Sequence, residues 1–421
     1  LYHPSNPKEA KTESRYGDPR YAAYVLPCQG EPLWVELGDA ESINRNIDAF
    51  RKALRDTRSR DVKPLARAVD RDVMQPVRKL LGQTRQVFIS PDGALNLIPF
   101  AALVDERGDY LVKDYHFTYL TSGRDLLRLR EKIKSKAEPL VIADADFDNA
   151  TTDNKASGDQ QTSTNMGHVN DANNFGDKPI GLKFGDIELE PLKRLAASAD
   201  EAAAVEKALG QATVFLRGRA TESALKQIIS PSILHIATHG FFLDEEANLD
   251  SNLSGPTRIV VRRKKDGSSP GVRLENPALR SGLFFAGANR GKSGDDDGVL
   301  TALEAAGLDL WGTKLVVLSA CDTGVGEVIN GEGVQGLRRA LVLAGSESQM
   351  MSLWPVSDSG TRDLMIDYYK RLKAGEGRSE ALRQSQLKML KDPKRQHPFY
   401  WASFIQSGEW ANLDGKRVGL N

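Results

Sequence analysis

Apolar and polar positions along the chain alternate between two periods, and the switches mark out the elements. Residues 20 to 38 alternate as a hairpin, Tyr21 to Leu26 and Leu33 to Leu37 around a turn from Pro27 to Pro32. Helical spacing follows over Ala40 to Leu54 and Pro64 to Leu81, with Val69, Val73, Val77 and Leu80 on one stripe. Gln86 to Ser90 reads as a strand, Pro91-Asp92-Gly93 as a turn, and a basic helix is predicted up to about Lys136. Pro139 to Ala143 opens a second stretch of strands and helices. It contains a helix from Ser198 to Leu209, whose Ser198-Ala199-Asp200-Glu201 has capping-box spacing. A strand over Thr213 to Leu216 and a helix over Thr221 to Ile229 come next. Two further apolar runs then stand out, Ile233 to His239 and Leu315 to Cys321, each ending at a reactive side chain followed closely by glycine. A glycine-rich loop, a helix over Val334 to Ala344, a strand over Ser348 to Trp354 and helices over Asp358 to Leu372 and Glu380 to Leu390 complete the chain. Such alternation predicts an α/β fold, a mostly parallel sheet flanked by helices.

Composition narrows the function. The 421 residues suit two or three domains, and 57 basic against 57 acidic residues give no electrostatic case for nucleic acid or an anionic membrane. No apolar run reaches the roughly 18 residues that span a bilayer, and the first residues lack a signal-peptide pattern. Two cysteines cannot build a disulfide framework or a zinc knuckle, and a free thiolate suits a reducing, cytoplasmic setting. Residues 1–19 read as a linker, as in the tail of a longer protein. Asp144 to Lys178 is poor in apolar residues and reads as a mobile surface insertion, a candidate for self-cleavage or gating.

Parallel strands deliver their last residues to one edge of the sheet, so side-by-side placement of the two runs would bring His239 and Cys321 together. A lone cysteine is usually inert packing. Here it stands before Asp322-Thr323-Gly324, where the chain turns and backbone N–H groups can favour a thiolate. Cys321 is therefore the candidate nucleophile, His239 the general acid/base, and the N–H groups of Gly240 and Cys321 the candidate oxyanion hole. His235, in mid-run, reads as a hydrogen-bonded core residue, and His397 as part of a packing motif. No third member of a triad is evident. Gly331 to Gly336 spells G-x-G-x-x-G too far from a strand for a dinucleotide site and reads as a rim loop. Ser293 to Glu304 resembles a calcium loop only loosely and reads as a solvated acidic turn. The basic run Arg258 to Lys265 reads as a hairpin tip. Ser352, Leu353, Trp354, Ser357 and Asp358 leave a strand at the same edge and are candidate borders of a substrate pocket; Trp354 reads equally as core and Asp358 as a helix cap. The chemistry calls for no cofactor and no metal.

Several ordered segments resemble the CHAT family, caspase- and separase-like peptidases of clan CD often fused behind tetratricopeptide repeats. They are Ser90 to Gly93 with Ile98 to Leu103, His239-Gly240, Asn276 to Leu283, Ser319 to Gly324, Glu332 to Val334, Ser352 to Val356 and Tyr400 to Ala402. The resemblance implies a caspase-like domain over 137–421 with a His239–Cys321 dyad, preceded over 20–136 by a pseudo-peptidase-like unit. It also implies a cysteine endopeptidase cutting specific protein partners, as in bacterial defence, under control of a tetratricopeptide-repeat or sensor region upstream or in trans. The alternatives are a silent or conditionally active scaffold, and acyl transfer to an acceptor other than water. Ser319 and Pro355 stand where caspases and separases carry other residues, so neither family's cleavage preference transfers.

Overall fold

A computed structural model describes residues 1–5, 16–131, 133–151, 191–242, 276–320, 336–354 and 359–416. It gives the backbone alone at 183–184, 187–188, 327–329, 333–335 and 358. A hairpin of β1 (Arg20–Val25) and β2 (Leu33–Asp39) leads into α1 (Ala40–Arg55), where Asp39 caps the helix by accepting from the Ser42 N–H at 2.7 Å. The helical stripe over 64–81 is in fact two helices, α2 (Val62–Asp72) and α3 (Met74–Leu81). Pro76 explains the break, since it lacks an N–H for the Asp72 carbonyl and its ring crowds that turn. The basic helix shrinks to α4 (Asp125–Arg128), one turn after β3 (Gln86–Ile89) and β4 (His116–Tyr119).

The central stretch runs β5 (Leu140–Ala145), the two-residue strands β6 (Lys183–Phe184) and β7 (Ile187–Glu188), α5 (Ala197–Leu209), β8 (Thr213–Arg217), α6 (Glu222–Lys226) and β9 (Ile233–Ala237). Next come β10 (Gly240–Phe242), β11 (Ser281–Phe284), β12 (Val299–Thr301), α7 (Ala302–Ala305) and β13 (Leu315–Leu318). The chain closes with β14 (Glu327–Ile329), β15 (Gly333–Gln335), α8 (Leu337–Leu343), β16 (Ser348–Ser352), α9 (Asp358–Lys373), α10 (Arg378–Lys391), α11 (Pro398–Trp401) and β17 (Phe404–Gly408).

Eight of the described strands form one sheet in the order β3-β4-β17-β16-β13-β9-β5-β8, parallel at every junction except β16–β17. β3 and β4, from 20–136, thus share one layer with β5, β8, β9, β13 and β16, from 137–421, joined through β17. Period-two alternation sorts the inner strands' side chains between two faces. Val141, Ala143, Ile233, Leu315 and Val317 pack with residues of α1, α5, α9 and α10. Leu140, Ile142, Leu234, Ile236, Val316 and Leu318 pack with residues of α6, α7 and α8. Burial on both faces is why these strands read as unbroken apolar runs. Among the described residues no helix is long and apolar enough to cross a membrane.

Two further readings differ from the structure. α5 has no capping box: Ala196 precedes it without a side-chain cap, the Ser198 hydroxyl donates to the Leu195 carbonyl, and Glu201 turns inward. The sheet beneath claims that carboxylate, so a tertiary contact overrides the local pattern. Nor is the acidic turn simply solvated. Lys226 Nζ lies 2.7, 2.8 and 2.9 Å from carboxylate oxygens of Glu222, Asp296 and Glu304, and Glu304 also closes a capping box with Thr301. The ammonium gathers carboxylates that would otherwise repel one another. The basic run over 258–265, read as a hairpin tip, and most of the 144–178 stretch lie outside the described residues. Asp144 and Phe147, at the start of that stretch, are buried.

Candidate active site

In chain order the strands β5, β8, β9, β13 and β16 are arranged as 2-1-3-4-5, so the crossover direction reverses between β5 and β9. The crevice beyond the carboxyl ends at such a switch point is where open α/β sheets bind ligands. His239 follows the carboxyl end of β9, beside that switch point. β9 and β13 are parallel neighbours, with Leu318 against Ile236, and the Ser319 N–H donates to the Ile236 carbonyl at 2.9 Å as the last described rung. His239 lies three positions beyond Ile236, and Cys321 three beyond Leu318. Cys321 itself is outside the described residues, as is Ser357.

β9 stops at Ala237 because the chain is then sewn to a different sheet. The Thr238 hydroxyl donates to the Phe284 carbonyl at 2.5 Å, and the Phe284 N–H donates to the His239 carbonyl at 2.9 Å. Gly240 then opens β10 opposite Leu283, in a small antiparallel sheet with β11 and β12. The turn leaves His239 only 2 % exposed, its ring packed on Phe147 with centroids 5.1 Å apart. His239 Nε2 lies 2.8 Å from the Lys193 carbonyl. A carbonyl only accepts, so Nε2 carries the hydrogen and Nδ1 is the nitrogen that can take up a proton.

The Lys193 carbonyl is itself held in place. Asn289 accepts from the Leu192 N–H at 2.7 Å and donates to the Leu192 carbonyl at 3.0 Å, while its own N–H reaches the Phe147 carbonyl at 2.8 Å. One residue further on, Arg194 forks onto Asp144 at 2.6 and 2.7 Å. None of these orienting groups was singled out from the sequence. A main-chain acceptor leaves no trace there, and Asn289 stands in the sequence only as the polar residue that ends an apolar stretch.

Burial lowers the His239 pKa, and the bond to Lys193 offsets part of that. Burial likewise lowers His397, whose Nδ1 accepts from the Phe399 N–H at 3.1 Å as the cap of α11. A folded-state value below the unfolded one means that the unfolded chain binds the extra protons. Stability is therefore full above about pH 6.5 and is expected to fall as acid carries the pH down through the folded values. Urea midpoints that stay flat from about pH 7 to pH 5 would contradict this.

Ser352, Leu353 and Trp354 are buried side chains behind this edge. The Ser352 hydroxyl donates to the Ala320 carbonyl, the Leu353 N–H to the Ser403 carbonyl at 2.8 Å, and Trp354 Nε1 to the Phe399 carbonyl at 3.2 Å. Asp358 opens α9, and its side chain lies outside the described residues. His235 is fully buried on the opposite side of β9, with Nδ1 3.0 Å from the Tyr369 hydroxyl. A cavity of about 390 Å³ sits at the other end of the strands, beside Ser232, Ile233 and Lys314, away from His239.

The CHAT domain family matches residues 63–409. This chain belongs to the CHAT family. Tetratricopeptide repeat protein 28 of Homo sapiens is 24% identical over 349 residues, which cover 79% of this CHAT chain and 12% of that protein. Its Mus musculus counterpart is 32% identical over 117 residues, 28% of this chain and 5% of that protein. The chain thus spans a small part of the length of these relatives. Among solved structures, the Arg-specific cysteine proteinase gingipain R covers 89% of this CHAT chain and 76% of its own, at 9% identity and a TM-score of 0.43. A Saccharomyces cerevisiae separase–securin complex covers 87% and 20%, at 10% identity and a TM-score of 0.40.

Proposed function

We propose that this CHAT domain is a cytoplasmic cysteine endopeptidase acting on selected protein substrates through Cys321 and His239. The observation that carries the reading is the register of β9 and β13, which counts both residues the same distance past paired positions. In the proposed cycle His239 Nδ1 takes the Cys321 proton and the sulfur attacks the scissile carbonyl carbon. The N–H groups of Gly240 and Cys321 receive the oxyanion. The imidazolium then protonates the departing amine, leaving an acyl-enzyme. Water, deprotonated by the same nitrogen, releases a carboxylate and restores the thiol. The Nε2 hydrogen stays on the Lys193 carbonyl throughout and fixes the ring plane. No cofactor is needed. The connection from Ser352 to Asp358 borders the substrate pocket, with Ser352, Leu353 and Trp354 supporting it from behind. The partners are protein substrates and a tetratricopeptide-repeat or sensor region, with no direct role for nucleic acid or membrane.

The burial of His239 favours a second reading, a scaffold that is silent until a partner opens the edge. A peptide library carrying a thiol-reactive electrophile tests both. The peptidase is expected to give a covalent adduct on Cys321 that is lost in His239→Ala. An adduct confined to the exposed Cys28, with every activating partner present, would favour the scaffold.

A further inference from the structure

The Ser319 N–H, donating to the Ile236 carbonyl at 2.9 Å, makes the last described rung between the two strands, and side chains then take over. The Ala320 carbonyl accepts from the Ser352 hydroxyl on one side. On the other side is Glu201, from the second turn of α5 and only 6 % exposed. Its Oε2 accepts from the Ser319 hydroxyl at 3.1 Å, and its Oε1 lies 3.2 Å from His235 Nε2, close but not aligned as a hydrogen bond. Tyr369, a phenol that burial keeps protonated, holds the far nitrogen of that ring. One buried carboxylate therefore touches both strands, two residues before Cys321 and four before His239.

We propose that Glu201 is a positioning residue that fixes the ends of β9 and β13 relative to each other and so sets the Cys321–His239 geometry. The proposal rests on the peptidase reading and names a residue that supports it. Stability is a poor reason for placing a carboxylate here, because a buried ionic group can commonly be exchanged for a well-packed apolar one with neutral or favourable effect. Placement is a better one. Glu201 engages Ser319, whose N–H makes the last described rung, and His235 in the strand beside it, and a displacement of about 1 Å passed on from there is enough to slow chemistry by orders of magnitude.

The test is the rate at which iodoacetamide alkylates Cys321 near pH 7, read with the thermal midpoint in a Cys28→Ser background. Alkylation joins sulfur to the acetamide carbon and expels iodide, so it follows the thiolate that His239 maintains. Glu201→Leu is expected to slow alkylation by about tenfold or more at an unchanged or higher midpoint. Ser319→Ala, which cuts the same link by removing one oxygen, should slow it too, and carries the test if the leucine variant fails to fold. Glu201→Gln should recover most of the rate, because its amide oxygen still accepts from Ser319 and His235 can invert its tautomer against Tyr369. Thr118→Val, which removes a buried 2.7 Å bond to Ser379 elsewhere in the fold, should lower the midpoint without slowing alkylation. Leucine and alanine variants within twofold of the parent, or a glutamine variant as slow as leucine, overturn the role of Glu201. A His239→Ala chain alkylated at the parent rate rejects the dyad itself, and this role with it.

Discussion

His239→Ala is expected to lower kcat/KM for a cleaved peptide by about 10²–10⁴-fold, the range that a positioned acid–base group supplies. In barrier terms that is about 3–6 kcal/mol. The truncation also removes the ring from Phe147 and the N–H from the Lys193 carbonyl, at a cost to folding of about 1–3 kcal/mol. His239→Gln separates the two effects. Its amide can still donate to the Lys193 carbonyl, but it has no nitrogen that accepts a proton at neutral pH. The glutamine variant is expected to lose as much rate as alanine and less stability, measured as peptide turnover beside urea midpoints. A glutamine chain that turns over at the parent rate would remove His239 from the chemistry.

Gly287→Ala is expected to be the most damaging single methyl group in the described structure near the site, at about 3–5 kcal/mol of folding stability. Gly287 has a φ of 83°, in the left-handed region, and a Cβ there would fall 1.7 Å from the Lys292 carbonyl oxygen. Both obstacles are backbone. The same glycine donates its N–H to the Asp146 carbonyl at 2.9 Å and accepts from the Lys292 N–H at 3.2 Å, so the turn cannot open without losing those bonds. Asn289 stands two residues on, and a shift there would release Leu192 and with it the carbonyl that orients His239. A urea midpoint unchanged by the substitution would show that the turn can yield.

The sheet was legible because its inner strands are buried on both faces, which writes Leu315 to Leu318 and Ile233 to Ala237 as continuous apolar runs. The reversal at β5/β9, and hence the position of His239 beside a switch point, follows from strand order, which element alternation alone leaves open. Helix limits were less readable where one residue decides, as Pro76 does. Glu201 was misread because a Ser-x-x-Glu spacing carries a local signal, whereas its actual partners, Ser319 and His235, are distant in sequence. The orientation of His239 depends on the Lys193 carbonyl, and every residue has one. Lys226 went unnoticed for a related reason: the carboxylates of Asp296 and Glu304 come to it from some seventy residues away.

β17, the last of the described strands along the chain, lies inside the layer, between β16 and β4. A ribosome releasing the chain from its amino end exposes β3 and β4 long before their inner neighbour exists. The two blocks can be zipped together only after residue 408 has emerged, so the eight-stranded sheet is completed late in the making of the chain.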